Sequence, residues 1–228
     1  MFLPRSPAQR YGAGMSLALY VRIVRRAVDG GATFRPGEAS QRATAPSRAW
    51  DKHWAEEPLG HALRDAHPDR WVRFWSLPNA KRYADTDADA EHAEVLRRHL
   101  TVLRTLAVDT PVWVIAQDSD GRTIESGWSR DAVPGRWPWR RATTSRPRTS
   151  WEAVGSFYCV RSFAVENLVE LLRDVADERA NIVIGGEDLS WVYAPYDGGA
   201  DVILPTRAKR DALARRHRRW ASTRRDGL

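Results

Sequence analysis

Twice along this chain a short apolar run gives way to an amphipathic stretch and then to another short apolar run, and that alternation limits the fold more than any other feature. The first instance leads from Trp71-Val-Arg-Phe-Trp-Ser76 through Thr86–Ala107 to Val112-Trp-Val-Ile-Ala116. The second leads from Phe157–Arg161 through Phe163–Asp177 to Ile182–Ile184. Short runs rich in β-branched and aromatic residues, bounded by Pro or Gly, read as strands. Between them apolar residues return at helical spacing: Leu96, Leu100, Leu103 and Ala107 in the first stretch, and Val165, Leu168, Leu172 and Val175 in the second. The first helix has Thr86 as its expected N-cap, acids at its start (Asp87, Asp89, Glu91, Glu94) and Arg97, Arg98 and Arg104 toward its end, the order that suits the helix dipole.

Downstream, Gly185-Gly186 turns the chain into an expected strand at Leu189–Tyr193, and Asp197-Gly198-Gly199 signals a hairpin before a strand at Ala200–Leu204. Pro205-Thr206 opens a final helix with Leu213, His217 and Trp220 on its buried side. Asp118–Gly121 reads as a turn, Arg122–Trp128 as a further strand, and 131–150, with Pro134, Pro138 and Pro147, as a loop. The expected fold class is α/β, with α+β as the alternative. It is a single domain in which two β-α-β units, a hairpin and a C-terminal helix build a mixed sheet with packed helices.

Residues 1–47 have a different character. They are rich in Arg, Ala, Gly, Ser and Pro; only Leu17–Val28 suits a short helix, and Gly30–Ser47 reads as a linker. The expectation is a basic, disordered extension over 1–47, with Met15 an alternative start, and a domain over 48–228. Arg22, Arg25 and Arg26 interrupt the only stretch resembling a signal peptide, and no apolar run is long enough to cross a bilayer. A cytoplasmic protein with no membrane partner is expected. The single cysteine, Cys159, excludes an intrachain disulfide and reads as a buried strand thiol between Phe157, Tyr158 and Val160. Eleven tryptophans are enough to supply a surface or an interface as well as a core.

The net charge of +7 is unevenly spread. Residues 1–50 carry +6, residues 205–228 carry +7, and the middle carries −6. Basic ends on an acidic body predict at most weak, non-specific nucleic-acid binding. Only three of the 36 basic residues are lysines, which fits a GC-rich coding sequence better than selection for phosphate contacts.

Two segments stand out. Arg73-Phe-Trp-Ser-Leu-Pro-Asn-Ala-Lys-Arg-Tyr-Ala-Asp85 is one; Trp191-Val-Tyr-Ala-Pro-Tyr-Asp-Gly-Gly-Ala-Asp-Val-Ile203, followed by Arg210-Asp-Ala-Leu and Trp220, is the other. Together they resemble a family of bacterial, mostly actinobacterial, proteins classed as a domain of unknown function. Its members look like RFxSLPxxKRYA, then a helix, then PYDGGxDVI. The resemblance covers about 48–228 and implies no activity that can be carried over.

Each candidate constellation has a plainer reading beside it. Lys81, Arg82 and Tyr83 fall between a strand end and a helix start, where donors can hold a phosphate or carboxylate; the plainer reading is a cap on the acidic helix start. Tyr193, Tyr196, Asp197 and Asp201 flank the Gly198-Gly199 turn; its carboxylates suit acid/base work or binding a cation, or simply a tight turn. His92 and His99 lie about two helical turns apart, roughly 10 Å, too far to share a metal, and read as satisfied interfacial histidines. His53, His61 and His67 match no zinc spacing, so no metal and no cofactor are expected. Arg136-Trp-Pro-Trp-Arg-Arg141 has the chemistry of single-strand binding, or of tryptophans folded back on the domain. Arg215, Arg216, Arg218 and Arg219 read as a solvated helix face. Without a Ser-His-Asp order, a nucleophile elbow or a dinucleotide fingerprint, the leading expectation is a soluble, non-enzymatic interaction domain, regulatory or immunity-like, with a protein the candidate partner. The alternatives are a small hydrolase or transferase with a polar cleft at Lys81, Arg82, Tyr83, Asp197 and Asp201, and a non-specific nucleic-acid binder. We further expect the Lys81-Arg82 pair and Asp197 to meet, provided the strands leading to them run parallel in one sheet.

Overall fold

A computed structural model describes residues 36–85, 88–119, 136–143, 154–162 and 164–223. The helices are α1 (Pro36–His53), α2 (Gly60–Ala66), α3 (Asp89–Ala107), α4 (Val169–Ala176) and α5 (Arg207–Arg216). The strands are β1 (Trp71–Trp75), β2 (Val112–Ser119), β3 (Trp137–Thr143), β4 (Val154–Ser162), β5 (Ile182–Gly185), β6 (Val192–Tyr196) and β7 (Gly199–Ile203). They form one sheet in the order β1-β7-β6-β5-β2-β4-β3.

Every ladder in that sheet is antiparallel. The α/β class with packed helices holds, but the sheet is antiparallel where the sequence led us to expect a mixed one. The reason lies in strand insertion. In each β-α-β unit the two strands do point the same way, as the connecting helix requires. They are not neighbours: β7, β6 and β5 stand between β1 and β2, and β2 stands between β4 and β5.

Because side chains alternate along a strand, both faces need cover. One face, with Phe74, Val114, Ile184, Tyr193 and Val202, packs under α3, α4 and α5 through Val102, Leu103, Leu172 and Leu213. The other, with Trp71, Ile115, Phe157, Cys159 and Ile203, packs under α1 and α2 through Trp50, Trp54 and Leu63. Burying one such aliphatic or aromatic side chain contributes about 1.5–3 kcal/mol. The outer edge of β1 is closed by the chain after α5: Trp75 N donates to the Trp220 carbonyl at 2.8 Å, and Ser222 N to the Arg73 carbonyl at 2.9 Å.

Several boundaries differ from expectation. The segment read as a loop over 131–150 contains β3, whose ladder to β4 shifts register between Pro138 and Arg140, which accommodates a proline in an edge strand. The segment read as a linker is helical from Pro36, and Trp139 Nε1 donates to Ser47 Oγ at 2.9 Å. β2 runs on to Ser119 through part of the expected turn. Leu189 is a turn residue with φ 52°, so the expected strand starts later, at Val192. The face of α3 is rotated: Val95, Arg98, His99 and Val102 are buried with Leu103 and Ala107, and Leu96 and Leu100 sit at its margin. The expected Thr86 cap, the strand at 122–128 and the first 35 residues lie outside the described residues.

Candidate functional site

The two distinctive segments are neighbours in the sheet. β1 and β7 pair with Arg73 opposite Asp201 and Trp75 opposite Gly199. Arg73 and Asp201 therefore emerge on the same face, where Arg73 Nε and Nη2 donate to the two carboxylate oxygens at 2.9 and 3.1 Å. Arg64 of α2 adds a third donor at 3.5 Å. The Arg73 guanidinium also lies 5.4, 5.7 and 5.3 Å from the rings of Trp71, Trp75 and Tyr196. Asp201 is thus a buried counter-ion inside an aromatic and cationic enclosure. Tyr196 belongs to this group, with its hydroxyl buried and without a hydrogen-bond partner among the described residues; burial, then the Asp201 carboxylate, raises its pKa far above the ordinary phenol range.

Asp197 occupies the turn. Its Oδ1 accepts from Gly198 N at 2.8 Å, the self-bonding geometry that favours Asp in turns. Its other oxygen takes Arg82 Nε in a short charge-assisted bond. The chain reaches Arg82 through Ser76, whose amide donates to the Gly198 carbonyl at 3.0 Å, and then through a 3₁₀ turn at Pro78–Ala80. Asn79 and Ala80 both take left-handed conformations there, at φ 58° and 56°. Gly199 is required where it is: a Cβ would fall 2.2 Å from the Phe74 carbonyl oxygen.

The outer part of the site is a chain of ion pairs. Arg82, 63% exposed, reaches Asp197 and lies 3.8 Å from Glu178. Tyr83, half exposed, donates to Glu178 Oε1 at 3.1 Å; the Asp197 carboxylate, then partial burial and Glu178, push its pKa up to about 12. Lys81 turns away toward α3, bonding Glu91 at 2.7 and 2.8 Å and Asp85 at 2.9 Å, and those carboxylates raise its pKa. The structure therefore joins Arg82, Tyr83 and Asp197, sets Lys81 beside them on α3, and puts Tyr196 and Asp201 in a separate buried group with Arg73.

The opposite face holds a buried group whose members no local spacing connects. His99 Nδ1 meets the Tyr193 hydroxyl at 2.6 Å, and its Nε2 meets Ser76 Oγ at 3.0 Å. All three residues are buried, and burial pushes the His99 pKa down to about 4, so the ring is neutral. They border a small cavity with Phe74, Trp75, Arg98, Val102 and Ala200, with room for about one water. His99 is thus the satisfied interfacial histidine expected of it. Its partners come from two different strands, and no spacing in one sequence reveals such a pairing. Arg98, also missed, is buried because it bonds Glu94 at 2.6 Å and the Trp75 carbonyl at 3.1 Å.

The model of a family described as a domain of unknown function (DUF3885) matches residues 59–225. The chain belongs to that family. The match spans β1 to β7, so both distinctive segments of this DUF3885 chain lie inside it. No curated protein and no solved structure matches.

Three other sequence candidates find places in the DUF3885 fold. Trp137 and Trp139 fold back into the core, Trp139 edge-on to Trp50 at 5.8 Å, so the 136–141 segment keeps little free aromatic surface. Cys159 is buried, and burial raises its thiol pKa far above the reactive range. Among the described residues no group of His, Cys, Asp and Glu is arranged to hold a metal ion, and no helix is long and apolar enough to cross a membrane.

Proposed function

We propose that this protein is a non-enzymatic interaction domain of the bacterial cytoplasm, regulatory or immunity-like, that engages a protein partner through the Lys81-Arg82-Tyr83 loop and the Asp197 turn. The observation that carries the reading is the Arg82–Asp197 bond, which fixes two segments from distant parts of the sequence into one surface. Acid/base chemistry needs a carboxylate free to exchange protons with a substrate. Here Asp197 is bonded to Arg82 and Gly198, and Asp201 to Arg73 and Arg64. Such carboxylates hold shape. Arg82 and Tyr83 stand outward from that shape, and Arg and Tyr are the residue types that anchor protein interfaces.

A photo-crosslinking residue placed at Tyr83 in cells should capture a discrete partner, and the control position Arg173, on exposed α4 surface, should not. Arg82→Glu should abolish the capture with little change in melting temperature. Equal capture at both positions, or capture that survives Arg82→Glu, would refute the reading. Ester or phosphoester hydrolysis by the purified protein, lost in Asp197→Asn at unchanged melting temperature, would replace it with the catalytic alternative.

A further inference from the structure

Most exposed arginines of this body are answered by a carboxylate. Arg104 pairs with Glu166 at 2.9 Å, Arg161 with Glu187 at 2.5 Å and Arg173 with Glu170 at 2.7 Å. The end of α5 breaks that rule. Arg215, Arg216, Arg218 and Arg219 are all exposed, and none has a hydrogen bond or ion pair among the described residues. Cations near a helix C-terminus do gain from the dipole, but that gain is confined to the last turn and leaves the guanidinium forks free.

The segment is also held firmly. Leu213 and His217 are buried on its inner side. His217 Nε2 meets Thr105 Oγ1 at 3.1 Å, and its ring stacks on Trp220 at 5.1 Å with 12° between planes. The Trp220 carbonyl is tied to β1. The four arginines therefore project from a fixed frame, so binding costs less ordering entropy than it would from a flexible tail. Arg97, 5.1 Å from the Trp220 ring, is itself paired with Glu94 and adds no free charge to the four.

We propose that Arg215, Arg216, Arg218 and Arg219 form a docking site for the phosphate backbone of nucleic acid, read without sequence preference. Arg215 and Arg216 end α5 and Arg218 and Arg219 lie in the turn that follows, so the four occupy a span on the order of one helical turn, about 6 Å. Duplex DNA presents a charge roughly every 1.7 Å of its axis, so about three to four phosphates face that span. Guanidinium groups hold phosphate oxygens in pairs, which matches four free forks to closely spaced phosphates better than to the sparser carboxylates of a folded protein. The net −6 of residues 51–204 repels a polyanion from the rest of the body and leaves this surface as the contact.

The test is fluorescence anisotropy of the full chain with a mixed-sequence duplex of roughly 20 base pairs, titrated between about 50 and 200 mM salt. Four phosphate contacts predict a log–log slope near −3.6, which is a loss of about 150-fold over that range. Replacing all four arginines by Gln should flatten the slope by that amount, and replacing them by Lys should preserve it. A third variant, Arg22, Arg25 and Arg26→Gln, should leave the slope nearly unchanged. Melting curves of the variants should match wild type, because the four side chains hold nothing in place. An unchanged slope in the Gln variant would overturn the proposal. So would displacement of the duplex by poly-glutamate as effective, per charge, as displacement by unlabelled DNA, since the surface would then favour acidic protein.

Discussion

The buried histidine gives the sharpest quantitative handle on this fold. His99 has its pKa lowered from 6.5 to about 4 by burial, with both ring nitrogens engaged by Ser76 and Tyr193. A base whose folded pKa is depressed contributes stability that is complete above its unfolded pKa and is lost as pH falls through the folded value. For His99 the window opens near 6.5 and closes below about 4. At about 1.4 kcal/mol per unit, the full loss is on the order of 3 kcal/mol, and about 2 kcal/mol of it is gone by about pH 5. The carboxylates with lowered pKa, Glu91, Glu94 and Glu166, act in the same sense, but from the ordinary glutamate value of 4.5, so they weigh mainly below that window. His217, lowered by burial and then by Arg216, overlaps the window and must be cancelled by comparison. The comparison is His99→Gln, which keeps a polar side chain in the pocket but cannot titrate. Urea denaturation followed by tryptophan fluorescence at about pH 7.5 and about pH 5 should show wild type losing about 2 kcal/mol more than the variant. The variant is less stable at the higher pH, and only the difference in slope carries the result. Parallel pH profiles for the two proteins would refute the reasoning, because His99 would then titrate alike in the folded and unfolded chains.

Asp201→Asn removes the charge that answers Arg73 and Arg64 inside the sheet, and breaking such a buried pair should cost about 3–5 kcal/mol in urea denaturation. Arg82→Ala should cost under about 1 kcal/mol in the same assay, because its side chain is 63% exposed. Gly199→Ala places a Cβ against the Phe74 carbonyl and should destabilise by roughly 3 kcal/mol, read as a lowered melting temperature. Removing residues 1–35 should leave the urea midpoint unchanged. Removal through Ser47 should lower stability by about 1 kcal/mol, the usual contribution of one hydrogen bond such as that from Trp139 Nε1 to Ser47.

The parts legible in the sequence were those set by local rules. Strand cores such as Val112–Ala116 and Ile182–Ile184 declare themselves through β-branched residues, and the Asp197-Gly198 hairpin through turn chemistry. The rotated face of α3 was illegible because burial of Arg98 and His99 depends on acceptors elsewhere: Glu94, the Trp75 carbonyl, Ser76 and Tyr193. Hydropathy alone places Leu96 and Leu100 inside instead. β3 was illegible for a related reason. Its proline and arginines look like loop, and only the β4 ladder and the packing on Trp50 of α1 make Trp137–Thr143 a strand. The direction of the sheet needed strand order, which β-α-β succession does not determine once other strands insert between the pair.

The two distinctive segments gain their meaning from that strand order. β1 and β6 point the same way because β7 lies between them, antiparallel to both. The C-terminal ends of β1 and β6 therefore share one edge of the sheet, and the loops leaving them must meet there. That explains why Arg82 and Asp197, 115 positions apart, form a bond. It also divides the labour within each segment. Arg73, Asp201 and Gly199 sit inside the β1–β7 ladder, where a buried ion pair and a close backbone approach need those residue types for folding. Beyond the ladder that requirement ends. Arg82 and Tyr83 are among the residues left facing solvent there, and neither is needed to fill a core. A chain that required only a closed turn would hold Asp197 through Gly198 N and end the loop there. The exposed Arg–Tyr pair added to that turn, braced from below by Asp197 and from the side by Glu178, is the part of the segment that we propose meets the partner.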